Sequence, residues 1–224
     1  MAEKPILFNT EMVRAILDGR KTQTRRLVKV SHRGAAGFNV CFRKSTGEFT
    51  GVYDWDDEES MYEDRTPAPC QPGDILWVRE TWAKDAGRYM YRANYSDTEK
   101  FYMNGREIKM AWRPSIHMPR DAARLFLRVT GVRIQRLQEI TSGEAVAEGI
   151  KSNLRNPSEA ADALIAFEEL WNRTVKPADQ PQYGWNANPW VWVIGFVRIN
   201  KPAGLWVDRD TSQFGDQDVL MPAT

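Results

Sequence analysis

The chain has 224 residues, 42% of them hydrophobic, with 31 Lys and Arg against 30 Asp and Glu, for a formal net charge of +1. This balance excludes a uniformly polycationic tail and an acidic disordered domain. The apolar fraction suffices for a sizeable core, and 9 Trp leave aromatic rings for a binding surface. The length favours one large domain, or one domain with a substantial insertion, over two independent domains.

Cys and His are rare in the chain, which bears on metal chemistry and location. With 2 Cys, 2 His and no CxxC or HExxH spacing, the sequence predicts no metal site and no cofactor. No run approaches the roughly 18 apolar residues needed to span a bilayer, and the N-terminus has no apolar leader core. We therefore expect a cytoplasmic protein with reduced thiols and no membrane partner.

Charge is distributed unevenly along the chain. Residues 1–33 contain eight Lys and Arg against three acids, and residues 109–136 contain seven against one. Residues 48–64 contain eight acids and no basic residue. Each run can be a solvated face, but a near-zero total does not exclude an anionic ligand. We expect residues 20–26 and 112–120 to face one cleft, with residues 48–64 turned away from it.

The first predicted element is an amphipathic helix from Thr10 to Gly19, with Asn9 or Thr10 as its cap and Gly19 as a left-handed stop. A turn and an exposed or edge strand follow over residues 20–30. Residues 31–69 are irregular and rich in Gly and acidic residues, which predicts a surface insertion.

The rest of the chain alternates strand and helix patterns. A Pro-Gly-Asp turn precedes the next strand, and the 124–137 pattern is one long strand or two joined at Gly131. The predicted strands cover residues 75–79, 88–93, 124–137 and 190–199, and the predicted helices cover 141–149 and 157–175. Short strands, few helices and no GxGxxG or GKT loop predict a small mixed-sheet barrel with insertions rather than a βαβ nucleotide fold.

The segment GRKTQTRR, residues 19–26, combines four cations and two hydroxyls. Guanidinium and hydroxyl donors together suit phosphate recognition. A lysine of lowered pKa beside Thr22 or Thr24 suits nucleophilic catalysis. The alternative is a solvated basic strand start, because strict alternation would place Lys21 and Thr24 on opposite faces. A turn or bulge would remove that objection.

Two further groups combine aromatic rings with charged side chains. One lies on the strand over residues 75–79, and the other lies in a loop ordered by two prolines. The candidate binding residues are Trp77, Arg79, Glu80, Trp112, Arg113, His117 and Arg120. They suit base stacking or a pocket wall. A core tryptophan with a rim ion pair and a structural histidine is the alternative.

Two polar groups in the second half of the chain are also candidates. Glu144 and Glu148 are spaced i, i+4 on a short helix. Such a pair either faces solvent or contributes one carboxylate that orients a lysine. Asn186 and Asn188, in an aromatic loop, could read a base edge.

Several of these segments together resemble the ASCH domain of the PUA-like superfamily. The segments are residues 19–26, 72–78, 144–150 and 190–196. With the block WRPSIHMPR at residues 112–120, the layout from about residue 5 to 200 is similar to the longer ASCH proteins carried by phages and prophages of enteric bacteria.

The resemblance implies an α+β fold, a PUA-like small and mostly antiparallel β-barrel with flanking short helices and a cleft for RNA or modified nucleosides. Small bacterial members act as amidohydrolases on N(4)-acetylcytidine, and others are described as ribonucleases. The lysine, threonine and glutamate of the amidohydrolase branch fall by motif on Lys21, Thr24 and Glu148. Arg26 would lie near the substrate, and Arg20 and Arg25 are binding candidates from the same motif.

We therefore predict a single ASCH domain over residues 1–204, with insertions near 31–69 and 83–120 and a tail over 205–224. Its predicted partner is RNA, single-stranded nucleic acid or a cytidine-type nucleoside, whose N(4)-acyl amide it hydrolyses without a metal. The alternatives are a non-catalytic RNA- or DNA-binding phage accessory module, a ribonuclease, and a protein–protein adaptor that uses residues 48–64.

Overall fold

The computed structural model describes residues 1–56, 58, 60–63, 65–85, 87–103, 106–152 and 156–202. The predicted tail over residues 205–224 lies outside the described residues. Within these ranges the α-helices are α1 (Thr10–Leu17), α2 (Ser142–Ala147), α3 (Pro157–Thr174) and α4 (Gln180–Tyr183). The strands are β1 (Glu3–Leu7), β2 (Gln23–Leu27), β3 (Gly37–Phe42), β4 (Phe49–Trp55), β5 (Ile75–Arg79), β6 (Trp82–Asp85), β7 (Arg88–Tyr91), β8 (Phe101–Met103), β9 (Arg106–Ile108), β10 (Phe126–Arg136) and β11 (Trp190–Ile199).

Five strands form the central sheet, in the order β1-β5-β10-β11-β2. β1 runs parallel to β5, and every other neighbouring pair is antiparallel. The predicted α+β class and the mostly antiparallel sheet are confirmed. The described backbone does not close this sheet into a barrel, since its edge strands β1 and β2 do not pair. A side chain links them instead, because Arg26 Nη2 donates a hydrogen bond of 2.8 Å to the carbonyl oxygen of Leu7.

The longest strands, β10 and β11, pair along most of their length. The register shifts between Val129 and Gly131, so Gly131 marks a bulge within one strand and does not separate two strands. Alternation along β11 sends Val191 and Val193 to one face of the sheet and Ile194 to the other. β11 therefore contributes to two separate parts of the core.

Each face of the sheet is covered by helices. On one face α1 packs Val13 and Ile16 against Ile6 and Val78. On the other face α3 packs Phe167 and other apolar side chains against β11. Among the described helices none combines the length and apolar character that crossing a membrane would require.

The predicted helix caps are present. The side chain of Asn9 accepts a hydrogen bond of 2.8 Å from the Met12 N–H at the start of α1. Thr141 and Glu144 form the predicted capping box at the start of α2. Gly19, with φ of 75°, follows α1 in the left-handed region that favours glycine.

Two expectations about the first third of the chain need correction. β2 is an edge strand as predicted, but its residues 23–25 are buried, not exposed. The stretch 31–69 is not uniformly irregular, since β3 and β4 pair there as an antiparallel hairpin. The hairpin packs Val52 against Val28, which follows β2, and against Trp192 of β11, so it covers part of the main sheet.

Candidate active site

Lys21 lies in the turn between α1 and β2. The N–H groups of Arg20 and Lys21 both donate to the carbonyl oxygen of Ala15, at 2.9 and 3.0 Å, and the strand begins only at Gln23. The alternation rule therefore does not extend back to Lys21. The objection that strand geometry would separate Lys21 from Thr24 is removed.

The Lys21 ammonium is enclosed by three hydrogen-bond acceptors. Its Nζ donates to Glu148 Oε2 at 2.8 Å and to the carbonyl oxygens of Glu148 and Gln23 at 2.9 Å each. The Lys21 side chain is 0% exposed and that of Glu148 is 4% exposed. The predicted pairing of this lysine with a glutamate of α2 is thus present as a buried ion pair.

Glu148 reaches Lys21 because the end of α2 packs closely on the turn before β2. The Thr22 N–H donates to the carbonyl oxygen of Ala147 at 2.8 Å, which ties the turn to the helix. Gly149 follows with φ of 107°, and a Cβ atom there would lie 2.9 Å from Ala15 Cβ and 3.4 Å from Lys21 Cβ. A glycine is therefore required both by the backbone conformation and by the close approach.

A second cation shares Glu148. Arg25 Nη1 donates to Glu148 Oε1 at 2.9 Å, and Arg25 Nη2 donates to Glu144 Oε2 at 3.0 Å. Glu144 also accepts a hydrogen bond from Arg133, whose side chain is about half exposed. Both glutamates of the i, i+4 pair thus turn towards the basic segment and not towards solvent. Lys21, Arg25, Glu144 and Glu148 together form what we call the buried ionic cluster.

Burial and charge shift the pKa values of the cluster. Desolvation lowers the pKa of Lys21 below 10.5, and the charge of Glu148 only partly opposes that shift. Burial alone would raise the pKa of Glu144, but the bond from the Thr141 N–H and the charge of Arg25 lower it below 4.5. The cluster therefore holds, at Glu144, a carboxylate that stays ionised, and at Lys21 a lysine that gives up its proton more readily than a solvated one.

Thr24 and Arg26 lie on the other face of β2 from Arg25, because alternate residues of a strand point to opposite faces. Phe8 lies between this face and the turn. The Phe8 ring centre is 5.4 Å from Lys21 Nζ and 5.4 Å from the Arg26 guanidinium carbon. Thr24 is only 2% exposed, and its hydroxyl forms no hydrogen bond within the part of the chain that the structure describes.

Arg20 and the loop 112–120 occupy other positions. Arg20 binds Asp18 and the carbonyl oxygen of Gly149, outside the cluster. Among the described residues, no hydrogen bond, ion pair or ring contact joins the loop directly to residues 20–26. Arg79 connects the loop to Phe8 indirectly. Its side chain donates a hydrogen bond to the carbonyl oxygen of Ile116, and its carbonyl oxygen accepts one of 3.1 Å from the Phe8 N–H.

The remaining predicted site residues form packing and ion-pair contacts. Trp77 lies beneath the guanidinium groups of Arg79 and Arg120, and Arg113 lies over Trp82. Glu80 is 1% exposed and accepts two hydrogen bonds of 2.9 Å from Arg124. Trp112 packs with Tyr95 and Phe101. The exposed His117 lies in a 3-10 turn over residues 115–117. These contacts match the alternative of core rings with rim ion pairs.

Asn186 and Asn188 lie around a 3-10 turn before β11. Asn188 adopts the left-handed conformation with φ of 46°, and its side-chain oxygen accepts a hydrogen bond of 2.9 Å from the Gln138 N–H. Its amide is thus used inside the fold.

Sequence reasoning missed Phe8 as part of the site. The sequence signal for it is an aromatic residue directly before Asn9, the cap of α1, at a position outside the apolar stripe of that helix. The sequence also did not reveal that Arg25 and Lys21 share one carboxylate. In the described ranges, no group of three or more His, Cys, Asp and Glu side chains is arranged to hold a metal ion.

Comparisons with known proteins returned structural similarity without sequence similarity. No protein-family model matches the chain, and a search of curated proteins gave no match. Structure comparison matches a DUF984 protein from Enterococcus faecalis, with 12% identity and a TM-score of 0.40, and an ASCH domain from Lactobacillus crispatus, with 12% identity and a TM-score of 0.38. Each match covers 89% of this chain and 81% of the other.

The second of these structures is of the family that the motifs resemble. Because both TM-scores are below 0.5, we draw no inference about activity from these likenesses.

Proposed function

We propose that the chain is an amidohydrolase that acts on the N(4)-acyl amide of a cytidine-type nucleoside, the substrate that the resemblance of its motifs to the ASCH domain implies. The observation that carries the proposal is the Lys21–Glu148 pair, with a 2.8 Å contact and side chains 0% and 4% exposed, at the start of the strand that bears Thr24. A buried lysine with a lowered pKa and a threonine hydroxyl close to it in the chain are the two groups that nucleophilic acyl transfer needs.

The chemistry divides into two steps. Thr24 Oγ1 attacks the acyl carbon, Lys21 Nζ takes the hydroxyl proton, and the C–N bond breaks as that proton passes to the departing cytosine amine. A water molecule then hydrolyses the threonine ester, releasing the carboxylic acid and restoring the hydroxyl. Glu148 is a positioning residue, because it acts through Lys21.

The charges of the site favour a lysine that alternates between its two protonation states. Within the buried ionic cluster, protonated Lys21 and Arg25 balance Glu144 and Glu148, while Arg26 and the half-exposed Arg133 add positive charge beside it. With Lys21 protonated, the site holds one more positive charge, and burial disfavours it. The charge of Glu148 favours the protonated lysine and burial favours the neutral one, so the two effects oppose each other at this side chain.

Arg26 supplies a cation against which the base would lie, and the buried Phe8 ring packs against that guanidinium. The Arg26 guanidinium lies over the Phe8 ring, so that a ring and a cation lie beside the face that carries Thr24. A guanidinium can stack on the face of any base, so selection for cytosine would come from the amide chemistry at its N4 position.

The test is hydrolysis of N(4)-acetylcytidine by the purified chain, followed as release of cytidine. We expect Thr24→Val and Lys21→Met to lower the rate by at least about 100-fold, as loss of a nucleophile or its base does. Thr22→Val is the matched control, because Thr22 is an exposed threonine two residues away, and it should retain the wild-type rate. Equal rates for Thr24→Val and Thr22→Val would contradict the proposal.

Binding of nucleic acid without catalysis is the second candidate. The cation–ring pairs at Trp77 favour it, since Arg79 and Arg120 hold guanidinium groups over a partly exposed ring. This function predicts RNA affinity that falls steeply with salt and does not depend on Thr24. Absent or salt-insensitive binding of a single-stranded RNA would count against it.

A further inference from the structure

The tip of the β3–β4 hairpin carries two exposed aromatic rings. Phe42 and Phe49 are register partners across the hairpin, with ring centres 5.9 Å apart. Phe42 is 43% exposed and Phe49 is 39% exposed, although both are large apolar side chains. Such a pair exposed on a hairpin indicates a surface that is covered when a partner is bound.

The two rings continue into the tryptophans of β11. Phe42 lies 6.0 Å from Trp190, and Phe49 lies 6.1 Å from Trp192, measured between ring centres. The Arg136 guanidinium lies over Trp190, 4.2 Å from the ring centre. Phe42, Phe49, Trp190 and Arg136 form what we call the hairpin platform.

The platform adjoins the candidate active site. In the pairing of β11 with β2, Trp192 is opposite Arg26 and Ile194 is opposite Thr24. Because alternate residues share a face, Trp192 and Thr24 lie on the same face of the sheet. Thr24 is two residues from Arg26, about 7 Å along the strand, and the platform begins one ring beyond Trp192. The distance from Thr24 to Phe49 is thus on the order of three or four stacked nucleotides.

The charges around the platform suit a polyanion. Arg43 and the exposed Lys44 follow Phe42 in the hairpin turn, and Glu48 is the acid nearest to them, 3.6 Å from Arg43. The other acids of the 48–64 segment begin at Asp54, towards the opposite end of β4. At about 3.3 Å per residue, Asp54 is roughly 17 Å along the strand from Phe49. Rings with adjacent cations, and most acids at a distance, fit base faces and phosphates.

We propose that the hairpin platform binds the nucleotides that flank the target base, so that the substrate of the site is a single-stranded nucleic acid and not a free nucleoside. This inference rests on the proposed function of the Thr24 site. The hairpin contributes no residue to the acyl-transfer chemistry. It lies beside Trp192 of β11, the register partner of Arg26 on the strand that carries Thr24.

The test compares two substrates and two readouts. One substrate is N(4)-acetylcytidine, and the other is an eight-nucleotide single-stranded RNA with one N(4)-acetylcytidine in its centre. Hydrolysis gives kcat/KM for each substrate, and fluorescence anisotropy of a labelled RNA gives its Kd. The variant is Phe42→Ala with Phe49→Ala, and the matched control is Ile165→Ala, since Ile165 is 56% exposed on α3.

We expect the double variant to weaken RNA binding by at least about tenfold, because each stacked base contributes about fivefold or more and two rings are removed. The ratio of kcat/KM for the RNA to kcat/KM for the nucleoside should fall by a similar factor, and Ile165→Ala should change neither quantity. Unchanged RNA affinity in the double variant would overturn the inference. So would loss of self-association in sedimentation without loss of RNA binding, because the platform would then belong to a second copy of the chain.

The two proposals fail in distinguishable ways. If RNA binding depends on Phe42 and Phe49 but neither substrate is hydrolysed, the platform inference stands as a binding surface and the amidohydrolase proposal fails. If the nucleoside is hydrolysed and the double variant binds RNA as the wild type does, the amidohydrolase proposal stands and the platform inference fails. Circular dichroism of the double variant shows whether the hairpin change disturbs the sheet.

Discussion

Replacing Glu148 by Gln should destabilise the fold more than replacing Lys21 by Met. In Lys21→Met, the Glu148 carboxylate keeps its 2.9 Å hydrogen bond from Arg25. Three oxygen acceptors lose the hydrogen bond that the Lys21 ammonium donated to them. We expect about 2–3 kcal/mol for those unsatisfied groups, partly offset by the buried methionine. In Glu148→Gln, Lys21 and Arg25 lose the carboxylate that they share, and a broken buried pair costs about 3–5 kcal/mol.

The measurement is urea-induced unfolding of the wild type, both single variants and the double variant at 25 °C and pH 7. Of the two single variants, Glu148→Gln should have the lower urea midpoint. The double variant should lose less free energy of unfolding than the two single variants lose together. Midpoints for Lys21→Met at or below those for Glu148→Gln would refute the reasoning, because they would show that Arg25 does not neutralise Glu148 when Lys21 is absent.

The same variant gives a prediction about pH. Burial lowers the pKa of Lys21 in the folded chain below its ordinary value of 10.5. At any pH between the folded pKa and 10.5, the unfolded chain binds more protons than the folded chain, so the free energy of unfolding rises with pH. Loss of the Glu148 charge lowers the folded pKa further and widens that interval. The deficit of Glu148→Gln relative to wild type should therefore shrink when unfolding is measured at pH 7, 8 and 9. A deficit that grows with pH would contradict this sign.

The remaining predictions concern stability elsewhere in the chain. Asp54 is fully buried and accepts hydrogen bonds from Ser31, His32 and Thr66, so Asp54→Asn should cost about 2–3 kcal/mol in urea unfolding at pH 7. Those bonds lower the pKa of Asp54, so the carboxylate stabilises the fold above pH 3.8 and this stabilisation is lost as the pH falls further. Between pH 5 and pH 3, the melting temperature should therefore fall less steeply in Asp54→Asn than in wild type. Gly149→Ala should cost at least about 1 kcal/mol more than Gly19→Ala, because both positions have positive φ but only Gly149 has a neighbour within 3 Å of the added Cβ. Equal melting temperatures for the two glycine variants would show that the contact with Ala15 relaxes at no cost.

Much of the fold was accessible from sequence because its signals are local. The caps of α1 and α2 are formed by residues within a few positions of the helix start, and the β-branched and aromatic run of β11 predicts a buried strand by itself. β1 was missed because Glu3, Lys4 and Pro5 give no strand pattern. Its pairing with β5, more than 70 residues away, supplies what the local sequence lacks.

The candidate site was less accessible because its partners are distant in sequence. Lys21 and Arg25 look like solvated cations until Glu148 and Glu144 are placed beside them, more than 115 residues later. Spacing alone predicts that β2 is exposed, since four residues within the segment 19–26 are basic. The family resemblance named Lys21, Thr24 and Glu148 together, and the structure places Lys21 and Glu148 in contact. No contact between Lys21 and Thr24 is seen among the described residues.

The strand order has a consequence for when the site can form during synthesis. Within the described elements, β2 has β11 as its neighbour in the sheet, and about 160 residues separate the two strands. At 5–20 residues per second, translation takes on the order of ten seconds or more to reach β11 after β2 is made. Glu144 and Glu148 are made before β11, but β2 gains its sheet neighbour only with β11. The buried ionic cluster is therefore fixed against the main sheet only late in synthesis.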